Sequence, residues 1–253
     1  MLALQSLPSE SNSTVLNSLK TLFSKTGPDP RAIHYLHIGK TAGNQIKTVC
    51  EEMARQNPSL RFALNGHGMR LYRLPPETRY FFSIRHPVSR FKSAFYERKR
   101  QGRGGQNKWS RHEQESFETF AHAVDLAENL FDDSPDGQKA RASMHSIQHV
   151  RTFHFSWFHP HGHFLALRPP IWILRQENFD EDLNTFARKL GLAAAPDKRA
   201  DADRAKVATY DGVPALSGKA VSNLERWYAP DILFYQDCEL WLKEQASSSD
   251  GRP

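Results

Sequence analysis

Four short apolar runs recur along this chain: IHYLHI (33–38), RFALN (61–65), RYFFSIR (79–85) and IWILR (171–175). Runs this short, without strict polar alternation, are what strands buried on both faces require. Between them lie segments of helical spacing, such as Ile46, Val49, Cys50 and Met53 within residues 45–56. Strands that alternate with helices pack as a parallel sheet covered on both sides. The chain is therefore expected to adopt an α/β, P-loop-like three-layer fold with a mostly parallel central sheet.

One domain is expected over residues 31–245. Residues 1–30 read as a polar extension with a short amphipathic helix (Val15, Leu16, Leu19, Leu22, Phe23), broken by TGPDP. Residues 246–253 read as a disordered tail. Further helices are expected from Pro87 to about Arg100, from Ser116 to Leu130, and from about Gln138 to His149. Two more run from Asn178 to Leu190 and from about Lys219 to Lys243. HFSWFHPHGHF (154–164) reads as aromatic and irregular, and residues 191–212 as a surface excursion.

Composition excludes several classes. Among 253 residues, 39% are hydrophobic and 11% aromatic, enough to fill a core, so global disorder is excluded. The net charge of +6 suits an anionic ligand without implying nucleic acid. The two cysteines, Cys50 and Cys238, have neither disulfide-scaffold nor zinc-site spacing and read as free thiols. No stretch is long and apolar enough for a membrane span, and the N-terminus is a poor signal peptide. A bacterial cytoplasmic protein is the expectation, with the Golgi lumen as the alternative if an N-terminal anchor has been removed.

The chemistry concentrates in two places. In HIGKTAGNQ (37–45) a strand runs into a small-residue loop and then a helix. That arrangement puts backbone N–H groups, a helix N-terminus, Lys40 and the Thr41 hydroxyl around an anion. The nucleoside-triphosphate order GxxxxGK[ST] is absent. In SIRHPVSRFKSAF (83–95), Arg85 ends the strongest strand and Ser89, Arg90 and Ser93 follow on the next helix. An arginine fork beside a helix start suits a second phosphate.

Together these segments resemble the two cofactor motifs of sulfotransferases that use 3′-phosphoadenosine 5′-phosphosulfate (PAPS). The likeness is to the carbohydrate group, which includes heparan and chondroitin enzymes and bacterial relatives. It implies that Lys40, Thr41, Ala42, Gly43, Asn44 and Gln45 hold the 5′-phosphosulfate, and that Arg85 and Ser93 hold the 3′-phosphate. Asn44 stands where the family has Thr or Ser. ILRQENFDEDLNTFARKLGL (173–192) and LERWYAPDILFY (224–235) resemble later segments of the group. The resemblance also implies that late basic residues such as Lys219 and Arg226 close over the nucleotide. Residues 102–165 match least.

Such an enzyme moves a sulfuryl group to a hydroxyl of a carbohydrate-like acceptor, with no metal. Lys40 would neutralise the leaving oxygen. His67, directly after the second strand, is the leading candidate for the base, with Glu97 and Glu177 in reserve. In heparan 2-O-type relatives a GH at this place looks like the base. The His145–His149 pair and the HPHGH cluster lack metal-site patterns. The alternatives are an ATP-dependent kinase on a related sheet and a non-catalytic polyanion- or nucleotide-binding module.

Overall fold

A computed structural model describes residues 27–102, 108–159, 163–196 and 212–250. The expected N-terminal helix, most of the 191–212 excursion and the centre of the 101–110 loop lie outside these residues. Strands β1 (Ile33–Leu36), β2 (Phe62–Leu64), β3 (Tyr80–Ile84) and β4 (Ile173–Arg175) form one sheet in the order β2-β1-β3-β4. All pairs are parallel, with Tyr35 opposite Phe81 and Phe82 opposite Ile173. Each expected strand is present, shorter by a residue or two at its ends.

The helices are α1 (Gly43–Gln56), α2 (Pro87–Gln101), α3 (Arg111–Thr119), α4 (Ala123–Glu128) and α5 (Pro135–Ser146). After these come α6 (Phe164–Leu167), α7 (Phe179–Lys189), α8 (Gly218–Trp227) and α9 (Ala229–Asp250). On one sheet face Tyr35 and Phe81 stack at 5.1 Å, and Phe186 of α7 meets Phe81 at 4.5 Å. On the other face Phe82 packs on Phe158 at 4.5 Å and Phe234 of α9 at 6.3 Å. The result is a three-layer α/β fold. Each buried phenylalanine contributes about 1.5–3 kcal/mol, so these two faces carry much of the driving force. A second core joins Phe91 and Phe95 of α2 to Leu126, Met144, Leu224 and Tyr228.

Several helix boundaries differ from expectation. The single helix expected over 116–130 is two, because the Asp125 carboxylate takes the His122 N–H and Tyr96 Oη takes the Ala123 N–H, starting a new helix. α5 ends at Ser146, three residues early, and His149 sits beyond it at φ 67°. The closing helix breaks at Tyr228, and α9 then runs past Lys243 to Asp250, into the segment expected as a tail. Asn178 precedes α7 without a side-chain capping bond. In this closing segment Tyr228, Phe234 and Tyr235 are buried, whereas Leu233 is 62% exposed. Cys50 and Cys238 are buried and unpaired. Among the described residues no helix is long and apolar enough to cross a membrane.

Candidate active site

The C-terminal ends of parallel strands are where a sheet of this kind offers backbone groups to a ligand. After β1, the chain turns through two left-handed non-glycine residues, Lys40 (φ 71°) and Ala42 (φ 64°). Ala42 precedes α1 with no side-chain cap, and the first turn of α1 holds no acidic residue. Those N–H groups therefore keep their positive end for an anion. Asn44 is exposed and Gln45 half-buried in that first turn.

Three buried contacts fix the loop. Thr41 Oγ1 donates to the Ile38 carbonyl at 2.8 Å. It also lies 2.7 Å from Ser83 Oγ, which Tyr35 Oη meets at 2.7 Å. From α2, the fully buried Arg90 donates Nε–H to the Gly39 carbonyl at 2.9 Å. The Thr41 hydroxyl, expected at the anion, is thus spent on the core, and its backbone N–H is what it can offer. The glycines serve ring contacts. A Cβ at Gly43 would stand 1.8 Å from His37 Nε2, and one at Gly39 would stand 2.6 Å from His149 Nδ1.

Lys40 and Arg85 share this sheet edge. The Lys40 ammonium pairs with Glu97 of α2, a carboxylate that also accepts from Gln101 Nε2 at 2.9 Å. Burial, then the guanidiniums of Arg85, Arg100 and Arg90, push Lys40 down to about 8. Glu97 opposes that shift, and the contact is that of an ammonium with a carboxylate. Arg85, at the end of β3, donates Nε–H to Ser89 Oγ at 3.0 Å. Glu177 braces the turn by accepting the His86 N–H at 2.8 Å and the Tyr235 hydroxyl at 3.1 Å. No described residue bonds the two terminal nitrogens of Arg85, so its fork is open to an anion. Ser93 is buried on α2, one turn beyond Ser89.

His67 lies at the same edge, in the loop after β2. Its Nδ1 is 3.1 Å from the His37 carbonyl. A carbonyl only accepts, so Nδ1 carries the proton and Nε2 keeps its lone pair. That is the tautomer a general base needs. Arg70 donates to the His67 carbonyl and lays its guanidinium 4.2 Å over Trp157, while Arg73 donates to Gly68. Burial is the largest force lowering the His67 pKa below its ordinary 6.5, aided by Lys47, Arg90 and Lys40, with the His37 carbonyl opposing. His67 is therefore neutral at neutral pH.

Two further histidines meet there. The His37 ring is 4.1 Å from His67, and the His149 ring is 5.2 Å away, edge-on at 67°. Burial pushes His37 down to about 3 and His149 to about 4. Sequence spacing linked His149 to His145, whose ring instead packs on Trp227 at 5.2 Å. Arg98, in the basic run at the end of α2, is buried against Glu113. Lys219 is not joined to the loop by any described contact, since it pairs with Asp132 at 3.2 Å, and Arg226 covers Phe131. Among the described residues no group of three or more His, Cys, Asp or Glu is placed to hold a metal ion.

Comparison with protein-family models, curated proteins and solved structures finds no match for this chain. A functional reading therefore rests on the site itself: two cationic groups, an uncapped helix start and a neutral histidine at one sheet edge.

Proposed function

We propose that this protein is a PAPS-dependent sulfotransferase acting on a hydroxyl of a carbohydrate-like acceptor. One observation carries the reading. Lys40 and Arg85 follow the neighbouring parallel strands β1 and β3 and so stand on separate turns of one sheet edge, where the Arg85 guanidinium, after burial, helps to depress the Lys40 ammonium. Like charges held together in a half-buried place invite an anion between them. The donor carries a phosphosulfate and a separate 3′-phosphate, which need two such grips.

In this reading the first-turn N–H groups of α1, from Gly43 to Gln45, and Lys40 hold the phosphosulfate. The open fork of Arg85, with Ser93, holds the 3′-phosphate. His67 Nε2 takes the proton as the acceptor oxygen bonds to sulfur. Lys40 covers the negative charge left on the phosphate oxygen as its bond to sulfur breaks. Lys40 leaves Glu97 to do so, which makes that ion pair a resting state. Glu177, a reserve base by sequence, is committed to the Arg85 turn.

Calorimetric titration with adenosine 3′,5′-bisphosphate against ATP–magnesium tests the reading. Wild type is expected to prefer the bisphosphate, and Arg85→Ala to weaken it about tenfold or more, the worth of a charge-assisted hydrogen bond. Preference for ATP–magnesium would favour a kinase. Weak, salt-sensitive binding of both would favour a polyanion-binding module. Unchanged bisphosphate affinity in Arg85→Ala would displace the 3′-phosphate from Arg85.

For the base, His67→Ala is expected to lower turnover at least about a hundredfold with donor affinity little changed. The wild-type rate should hold through neutrality and fall only as the pH drops below 6.5, where His67 protonates. A pH–rate profile with labelled PAPS and a panel of sugar acceptors measures both. Near-normal turnover in His67→Ala would remove it from the mechanism.

A further inference from the structure

His149 stands at the candidate site, yet neither the cofactor motifs nor the proposed mechanism employs it. Its backbone is left-handed at φ 67°, a state uncommon for residues with a β-carbon. The turn is held from both sides. The Gln148 N–H is taken by Glu113 Oε1 at 3.0 Å, and the Val150 carbonyl accepts the Tyr228 hydroxyl at 2.7 Å. Glu113 is itself gripped by Arg98 at 2.6 Å. The buried helical layer thus dictates where the imidazole goes. It goes against the Gly39 α-carbon, in space that only glycine leaves free, and edge-on to His67. No described residue bonds either of its ring nitrogens.

Resting on the sulfotransferase reading, we propose that His149 is a positioning residue that sets the ring of the His67 base and gives it an uncharged neighbour. The chemistry explains why an imidazole suits the place. A carboxylate there would favour the imidazolium form of His67 and disable it as a base. An aliphatic residue would leave the ring without a polar edge to face. The charges around the pair are consistent: His149 faces Lys40, Arg90 and Arg98, and His67 faces Lys40, Lys47 and Arg90. Every one is a cation, and the third ring of the cluster, His37, packs on His67 at 4.1 Å and is itself kept neutral by burial. Among the described residues the only carboxylate bonded to this turn, Glu113, is neutralised by Arg98.

The test uses three substitutions that tolerate a left-handed backbone: His149→Gly, His149→Asn and His149→Asp. Each is checked for an unchanged unfolding midpoint. The His67 ring is then titrated by NMR in the full chain, and sulfuryl transfer is followed against pH. In His149→Asp the new carboxylate should raise the His67 midpoint by about one pH unit or more. The acid limb of turnover should move up with it, because the proton now leaves His67 only at higher pH. His149→Gly should lower kcat about tenfold or more at unchanged donor KM, through a misplaced base, with partial recovery in His149→Asn. An unmoved His67 midpoint in His149→Asp, or wild-type kcat in His149→Gly, overturns the proposal. A shifted midpoint in a protein that transfers no sulfuryl group would support the ring coupling and sink the sulfotransferase reading instead.

Discussion

If the proposed sulfotransferase function holds, Lys40→Ala is expected to lower sulfuryl transfer by about a hundred- to a thousandfold, the usual cost of losing one preorganised donor at a developing oxyanion. The argument begins with the backbone. Lys40 is already left-handed, so alanine inherits the same conformation and the loop keeps its course. What anchors the loop is elsewhere: Thr41 in the Tyr35–Ser83 hydroxyl chain and Arg90 on the Gly39 carbonyl. The lost ion pair with Glu97 has partly exposed partners and contributes at most about 1 kcal/mol, so the fold survives. The loss should therefore fall on turnover, with bisphosphate affinity much less affected, because charge on the leaving oxygen grows only as its bond breaks. Single-turnover kinetics with labelled donor, beside calorimetry, separates the two. Turnover within a fewfold of wild type would take Lys40 out of the transition state.

Glu113→Ala is expected to cost about 3–5 kcal/mol of stability, the range for breaking a buried ion pair by removing one partner. Glu113 and Arg98 are 3% and 5% exposed. Two bonds join them, at 2.6 and 2.7 Å, and Glu113 also takes the N–H groups of Ser110 and Gln148. Alanine would strand a guanidinium in the helical layer and uncap α3. Replacing both partners by apolar residues, as in Arg98→Met with Glu113→Leu, should recover much of the loss. Denaturant unfolding measures both variants, and a Glu113→Ala loss under about 1 kcal/mol would contradict the account. The pH dependence follows in sign. Burial pushes the Glu113 carboxyl up, but hydrogen bonds from Arg98, Gln148 and Ser110 together with the Arg98 charge outweigh it and hold the group at about 2, against an ordinary 4.5. Its contribution is thus complete above pH 4.5 and disappears as the pH falls towards 2. Because Glu113 also grips the peptide beside His149, the same variant should disturb the histidine cluster.

The sheet was readable in advance because a strand buried on both faces leaves a local signature: IHYL, YFFSI and ILR are mostly apolar and lack a strict polar alternation. Lys40 and Arg85 were readable for a related reason. Arg85 directly follows β3 and Lys40 comes four residues after the end of β1, and all strands in a parallel sheet deliver their next residues to one edge. The break between α3 and α4 was not readable, because it depends on the Tyr96 hydroxyl, 27 residues away from Ala123.

The arrangement around His67 lay further out of reach. His37, His67 and His149 are dispersed along the chain and converge only once the helical layer docks on the sheet edge. Arg98 reads as one of three surface cations until Glu113 is brought to it across the Trp109 turn. Thr41 reads as a phosphate ligand until Ser83 arrives from the neighbouring strand. Periodicity and turn chemistry act through the nearest few residues, and they are written in the residue order. Which buried groups satisfy one another is settled by whichever partners the packed layers bring within about 3 Å, and only the folded chain makes that choice.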